Sequence, residues 1–164
     1  MRVSSGSTWM LTYDRFEPAQ EGLREALCTL GNGYAGVRGA ATEATASRIH
    51  YPGMYIAGVY DTLPTHISGR TIYNEDLVNC PNWLFLTFRV GDGPWFTPST
   101  ARILSYRQEL DMKNGVLSRR IRVQDREGRR TYIHTHRIVS MADPHMGAVC
   151  YQIVPENYSG WITV

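Results

Sequence analysis

From residue 103 to residue 141 the chain repeats one device: a run of alternating side chains, a short polar turn, and another alternating run. Residues 103–112 lead into Lys113-Asn114-Gly115. Residues 116–124 lead into a turn from Asp125 to Gly128, and residues 129–141 follow. A period of two sends successive side chains to opposite faces of a strand. Connections this short join only antiparallel neighbours. Arg120 and Arg122 therefore share one face, and Ile121 and Val123 share the other. That is a sheet with a polar face and a core face. After the Asp143-Pro144 break the pattern resumes with Tyr151 and Ile153, and Pro155-Glu156-Asn157 leads to a last strand at residues 161–164. That strand ends without a turn or a polar tail.

The first half is read the same way. Trp9, Leu11 and Tyr13 alternate with Met10 and Thr12. Residues 23–30 fit a short helix or a strand. The following Gly31-Asn32-Gly33 favours the strand, because Asn-Gly supplies the positive φ angles of a tight hairpin. Residues 34–38 return as its partner, and residues 54–60 form another strand. Residues 61–82 hold Pro64, Gly69 and Pro81 with little periodicity and read as a long loop, a kind that is commonly functional or disordered. Residues 84–90 resume a strand, residues 91–94 turn, and Trp95-Phe96 start the return. The expected class is all-β: a large antiparallel β-sandwich in one domain, residues 1–164, with residues 1–8 flexible.

Composition excludes some functions. The net charge is +2 in 164 residues, which speaks against a nucleic-acid partner. No apolar run approaches the ~18 residues of a membrane span. The N-terminus lacks the apolar stretch of a signal peptide. Cys28, Cys80 and Cys150 are odd in number and widely spaced, so they read as buried small hydrophobes in a reducing, cytoplasmic setting. His134 and His136 share a strand face, but a metal needs a third ligand, and no metal site is expected. Lys113 is the only lysine among 17 basic residues.

Chemistry-bearing patterns are sparse. Glu109 and Asp111 lie on one face about 7 Å apart along a strand. The spacing suits a glycosidase pair, but a meander strand is not a cleft, and Asp111 reads as the cap of the turn at Asn114-Gly115. Gly31 to Gly36 fits the letters of a phosphate loop without the helix that would aim at a phosphate. No nucleophile elbow occurs. Trp83, Tyr55 and Tyr60, near the amides Asn79 and Asn82, suit sugar contact as well as a β-sandwich core.

Ordered segments carry a stronger signal. They are residues 24–34 (REALCTLGNGY), 36–40 (GVRGA), 51–60 (YPGMYIAGVY), 77–83 (LVNCPNW), 110–115 (LDMKNG), 140–143 (SMAD) and 155–160 (PENYSG). In this order the chain resembles the N-terminal domain of glycoside hydrolase family 65, whose members include inverting phosphorylases of maltose, trehalose, kojibiose and nigerose and also acid trehalases. The resemblance implies a super-sandwich like that of galactose mutarotase, followed by a helical linker and an (α/α)6 catalytic barrel. The general acid sits in that barrel, so no catalytic residue is transferred to this chain. It further implies an α-linked disaccharide substrate, inorganic phosphate as co-substrate in a phosphorylase, no other cofactor, and a dimeric enzyme. By order, the loop that reaches toward the catalytic pocket in the family corresponds to residues 61–76. Thr65, His66, Arg70, Tyr73 and Asn74 are its candidate pocket residues. Arg38, among Gly33, Gly36 and Gly39, is a candidate for the interface with the barrel, or else for an ion pair within the domain. A free-standing sugar-binding module and a mutarotase-like epimerase, with His134, His136, His145 and Glu109 as its acid and base, are the alternatives.

Overall fold

The computed structural model describes residues 8–164, so the expectation for the N-terminus falls largely outside the described residues. Five antiparallel strands build the main sheet: β1 (Met10–Tyr13), β8 (Arg102–Asp111), β9 (Val116–Gln124), β10 (Arg130–Val139) and β11 (Gly147–Pro155), in the order β1-β8-β9-β10-β11. The meander read from residues 103–155 is therefore observed nearly strand for strand. A break in register between Ile103 and Ser105 bends β8. Asp111 caps the β8–β9 turn as expected. Its Oδ1 accepts from the backbone N–H of Lys113 and Asn114, and its Oδ2 accepts from the Asn114 amide.

The alternation also sorts the faces. Ile121, Val123 and Ile133 point inward with Tyr106 and Phe88 and form the main core. Arg120 and Arg122 point outward, where they meet Glu109 and Glu156. His134 and His136 share that outer face, with ring centroids 4.0 Å apart.

Smaller sheets flank this one. β2 (Leu30–Gly31), β3 (Ala35–Val37) and β4 (Met54–Ile56) form a three-stranded sheet, and β7 (Arg89–Val90) pairs with β12 (Ile162–Thr163). Asn32 turns the chain between β2 and β3, but of the Asn-Gly pair only Gly33 has the positive φ expected. Its side-chain oxygen accepts from the N–H of Tyr34 and Ala35, while its amide donates to the carbonyls of Ser140 and Pro144. Gly39 permits a close approach of chains, since a Cβ there would lie 2.4 Å from Cys28 Cβ.

Four expectations are corrected. Residues 18–27 form a helix, α1 (Pro18–Leu27), where a strand was favoured. Pro18 starts it, and its buried stripe of Glu21, Arg24, Glu25 and Cys28 has helical spacing but polar chemistry. The loop expected at residues 61–82 is mostly a hairpin: β5 (Tyr60–Ile67) pairs in full register with β6 (Arg70–Leu77). Its turn, Ser68-Gly69, has positive φ at both residues, as two-residue hairpins require. Most of residues 84–90 and Trp95-Phe96 are irregular; Leu84 and Phe88 are buried, and Phe96 is tied to Phe88 by one backbone bond. Of the three cysteines only Cys28 is buried; Cys80 is half-buried and Cys150 exposed.

Candidate functional site

The hairpin β5–β6 lies at the surface. All sixteen strand residues are exposed. An isolated two-stranded ribbon is marginal in water at best, and this one presents Tyr60, Leu63, Ile67, Ile72, Tyr73 and Leu77 to solvent. Exposed apolar side chains gathered on one element in this number mark a contact region.

Register shows what each face offers. Tyr60 pairs with Leu77, Thr62 with Glu75, Pro64 with Tyr73 and His66 with Thr71, so these eight side chains share one face. The other face carries Leu63, Thr65 and Ile67 opposite Asn74, Ile72 and Arg70, with Asp61 opposite Asp76 at its base. The five candidate pocket residues are thus split. Thr65, Arg70 and Asn74 lie on one side, with the Asn74 amide donating to Thr65 Oγ1 at 2.9 Å. His66 and Tyr73 lie on the other, where His66 Nδ1 is 3.0 Å from Thr71 Oγ1.

Arg38 is tied inside the domain, though not by the ion pair considered for it. Its Nε donates to the Tyr51 carbonyl at 2.8 Å and its Nη2 to the Gly22 carbonyl at 3.1 Å. The guanidinium also lies over the Tyr51 ring. These bonds fasten β3's end to α1 and to the segment before β4.

Beneath the sheet sits a buried polar network that the sequence reading did not identify. Arg119 and Arg137 point into the core face of β9 and β10, each about 5% exposed or less. Arg119 Nη2 donates to both oxygens of Glu43, at 2.6 and 2.8 Å, and the Tyr151 hydroxyl donates to Glu43 Oε1 at 2.6 Å. Burial acts to lower the pKa of Arg119, but the Glu43 carboxylate outweighs it and holds the guanidinium above its usual range. Arg137 donates to the carbonyls of Arg38 and Ala40 instead. With burial and the Arg119 charge both against it, its pKa is lowered to about 10. Burial, then the Glu43 charge, pushes Tyr151 well up. The signal for this network was available: Arg119, Ile121 and Val123 share a face.

The histidines and carboxylate considered for an epimerase do not converge. His145 lies against Tyr34, His134 and His136 pack on each other, and Glu109 is held by Arg107 and Arg120. No group of three or more His, Cys, Asp or Glu that could hold a metal occurs among the described residues. Among them, too, no helix is long and apolar enough to cross a membrane.

Comparison with known proteins agrees with this architecture. Residues 11–164 match the "Glycosyl hydrolase family 65, N-terminal domain". An uncharacterized glycosyl hydrolase of Mycobacterium tuberculosis is 48% identical over 160 residues, which cover 98% of this chain and 12% of that protein. Kojibiose phosphorylase of Caldanaerobacter subterraneus subsp. tengcongensis is 33% identical over 156 residues, covering 95% of this chain and 19% of the relative. A solved structure from the human microbiome, assigned by name to kojibiose phosphorylase, superposes with a TM-score of 0.81 at 18% identity, covering 90% of this chain and 20% of its own, and so shares the fold. The chain therefore spans between about a tenth and a fifth of the length of these relatives. On the match across residues 11–164, the chain belongs to glycosyl hydrolase family 65, by its N-terminal domain.

Proposed function

We propose that this chain is part of an inverting disaccharide phosphorylase or hydrolase acting on α-linked glucosides, non-catalytic in that reaction, and that its hairpin walls the substrate pocket of a separate catalytic barrel. The observation that carries the reading is the exposed hairpin: sixteen strand residues, all exposed, with apolar side chains on both faces. The naming of relatives as kojibiose, trehalose 6-phosphate and maltose phosphorylases supports the substrate class. In a phosphorylase, inorganic phosphate is the second substrate, and the protein acts in the cytoplasm, as a dimer.

The two faces divide the work. Leu63, Ile67 and Ile72 rest against the barrel, where burying each contributes about 1.5–3 kcal/mol. Tyr73 and His66, on the opposite face, turn to the sugar, since aromatic rings and planar polar groups suit a pyranose. Arg38, Leu23 and Leu27 lie on the other surface offered to the barrel; both leucines are exposed on α1.

Two measurements test this. The chain alone, mixed with α-linked disaccharides and phosphate, releases no sugar phosphate; release would overturn the non-catalytic reading. In the polypeptide joined to its barrel, Tyr73→Ala raises KM for the disaccharide several-fold with the fold intact. Replacing residues 60–77 by a short turn lowers kcat/KM. Unchanged activity after that replacement would remove the pocket-wall role.

A further inference from the structure

Away from the hairpin, three side chains from separate parts of the chain fall into line. Glu25 projects from α1 and is 1% exposed; His50 is 3% exposed; Ser99 is at the surface. His50 Nδ1 lies 2.7 Å from Glu25 Oε1, and His50 Nε2 lies 3.2 Å from Ser99 Oγ. Glu25 is itself fixed, since its other oxygen accepts from the Tyr51 N–H at 2.8 Å. The histidine is held at both ends as well. Its backbone N–H donates to Ser47 Oγ and its carbonyl accepts from the Ser47 N–H, while Phe16 stacks on its ring. Pro98, fully buried, anchors the turn that carries Ser99. In that turn the N–H groups of Thr100 and Ala101 both donate to the Thr97 carbonyl.

We propose that Ser99 is an activated nucleophile, with His50 as its general base and Glu25 as the residue that positions the imidazole, and that it takes small carboxylic esters from solvent. The carboxylate accepts the Nδ1 proton and so sets the tautomer, which leaves Nε2 as the acceptor facing the Ser99 hydroxyl. Nucleophile, base and orienting group within hydrogen-bond reach are the signature of such a site, and it is recognised by geometry and not by spacing along the chain. Residues 25, 50 and 99 carry no local motif, which is why no sequence pattern announces them. Solvent access is one-sided: the base and its positioning carboxylate are buried and the serine is not, so an ester reaches Oγ without opening the core.

The chemistry balances without a further reactant. Ser99 Oγ bonds to the acyl carbon as its proton passes to His50 Nε2. The bond to the leaving alcohol breaks, and the alcohol departs with the electron pair; His50 gives its proton to that alcohol, or to solvent where the alcohol leaves as an anion. Water then adds to the acyl carbon, giving a proton to His50; the bond from Oγ to the acyl carbon breaks, His50 returns the proton to Ser99 Oγ, and the carboxylic acid leaves.

The test uses p-nitrophenyl acetate and a fluorophosphonate on the 164-residue chain, with modified peptides located by mass spectrometry. A positioned general base accelerates by about 10²–10⁴-fold, so Ser99 acylates at least ~100-fold faster than Ser68, an exposed serine with no such partner. Ser99→Ala, a surface change that leaves the fold intact, abolishes the modification; His50→Gln lowers it to the Ser68 rate. If His50→Gln does not fold, the Ser99-to-Ser68 ratio in the unaltered chain decides alone. Equal labelling of the two serines overturns the proposal.

Discussion

Replacing Glu43 by Gln leaves the Arg119 guanidinium inside the protein without its counter-charge. The side chains of the pair are 4% and 0% exposed, and Arg119 Nε and Nη1 are already buried without partners. Glu43 thus carries the neutralisation of this charge. Removing one member of a buried pair costs about 3–5 kcal/mol. A second loss adds to it, because the Tyr151 hydroxyl gives up a charge-assisted bond at 2.6 Å. At ~2–4 °C per kcal/mol for a chain of this size, Tm falls by about 6–20 °C. Thermal unfolding followed by circular dichroism measures the change. Asp14→Asn is the control: Asp14 pairs with Arg107 at 3.0 Å, but the two side chains are 66% and 45% exposed, and such pairs are worth about 0–1 kcal/mol. Adding Arg119→Met to Glu43→Gln removes the stranded charge and recovers part of the loss. If Glu43→Gln costs no more than Asp14→Asn, the pair is not buried as described and the argument fails.

Other perturbations follow from the same packing. Gly39→Ala drives a methyl group to 2.4 Å from Cys28 Cβ and 2.8 Å from its carbonyl oxygen; overpacking of this kind costs about 1–3 kcal/mol, read as a lower urea midpoint, whereas Gly36→Ala, with nothing within 4 Å, escapes the clash. His134 has its pKa lowered by burial, then by the charges of His136 and Arg120. The unfolded chain therefore binds its proton first, so stability contributed by neutral His134 is complete above the unfolded value near ~6.5 and is lost as pH falls through the lower folded value. His134→Gln flattens that part of the stability–pH curve, and an unchanged slope would count against the assignment.

The parts of the fold that could be read beforehand are those whose burial follows polarity. The strands β8 to β11 alternate because one face meets the core of Ile121, Val123 and Ile133 and the other meets water. Asp111 was legible because a side-chain cap acts within a few residues. Helix α1 was not, because its buried stripe is Glu21, Arg24, Glu25 and Cys28 while Leu23 and Leu27 face outward. A search for apolar period finds the wrong side of such a helix. The buried charges are each answered from far along the chain: Glu25 by His50, Arg119 by Glu43, Arg137 by the carbonyls of Arg38 and Ala40. Local pattern holds no record of those partners.

The hairpin failed for the complementary reason. Each of its faces mixes apolar and polar residues, so neither shows a period of two, and only Ser68-Gly69 marked the turn. Periodicity reports one buried face set against one wet face. Where both faces make contacts of different kinds, as we propose for the sugar and barrel sides of β5–β6, the alternation cancels. A stretch that is apolar, polar and aperiodic at once can therefore be a strand pair shaped by two different neighbours, and its separate faces are legible only after the register is known.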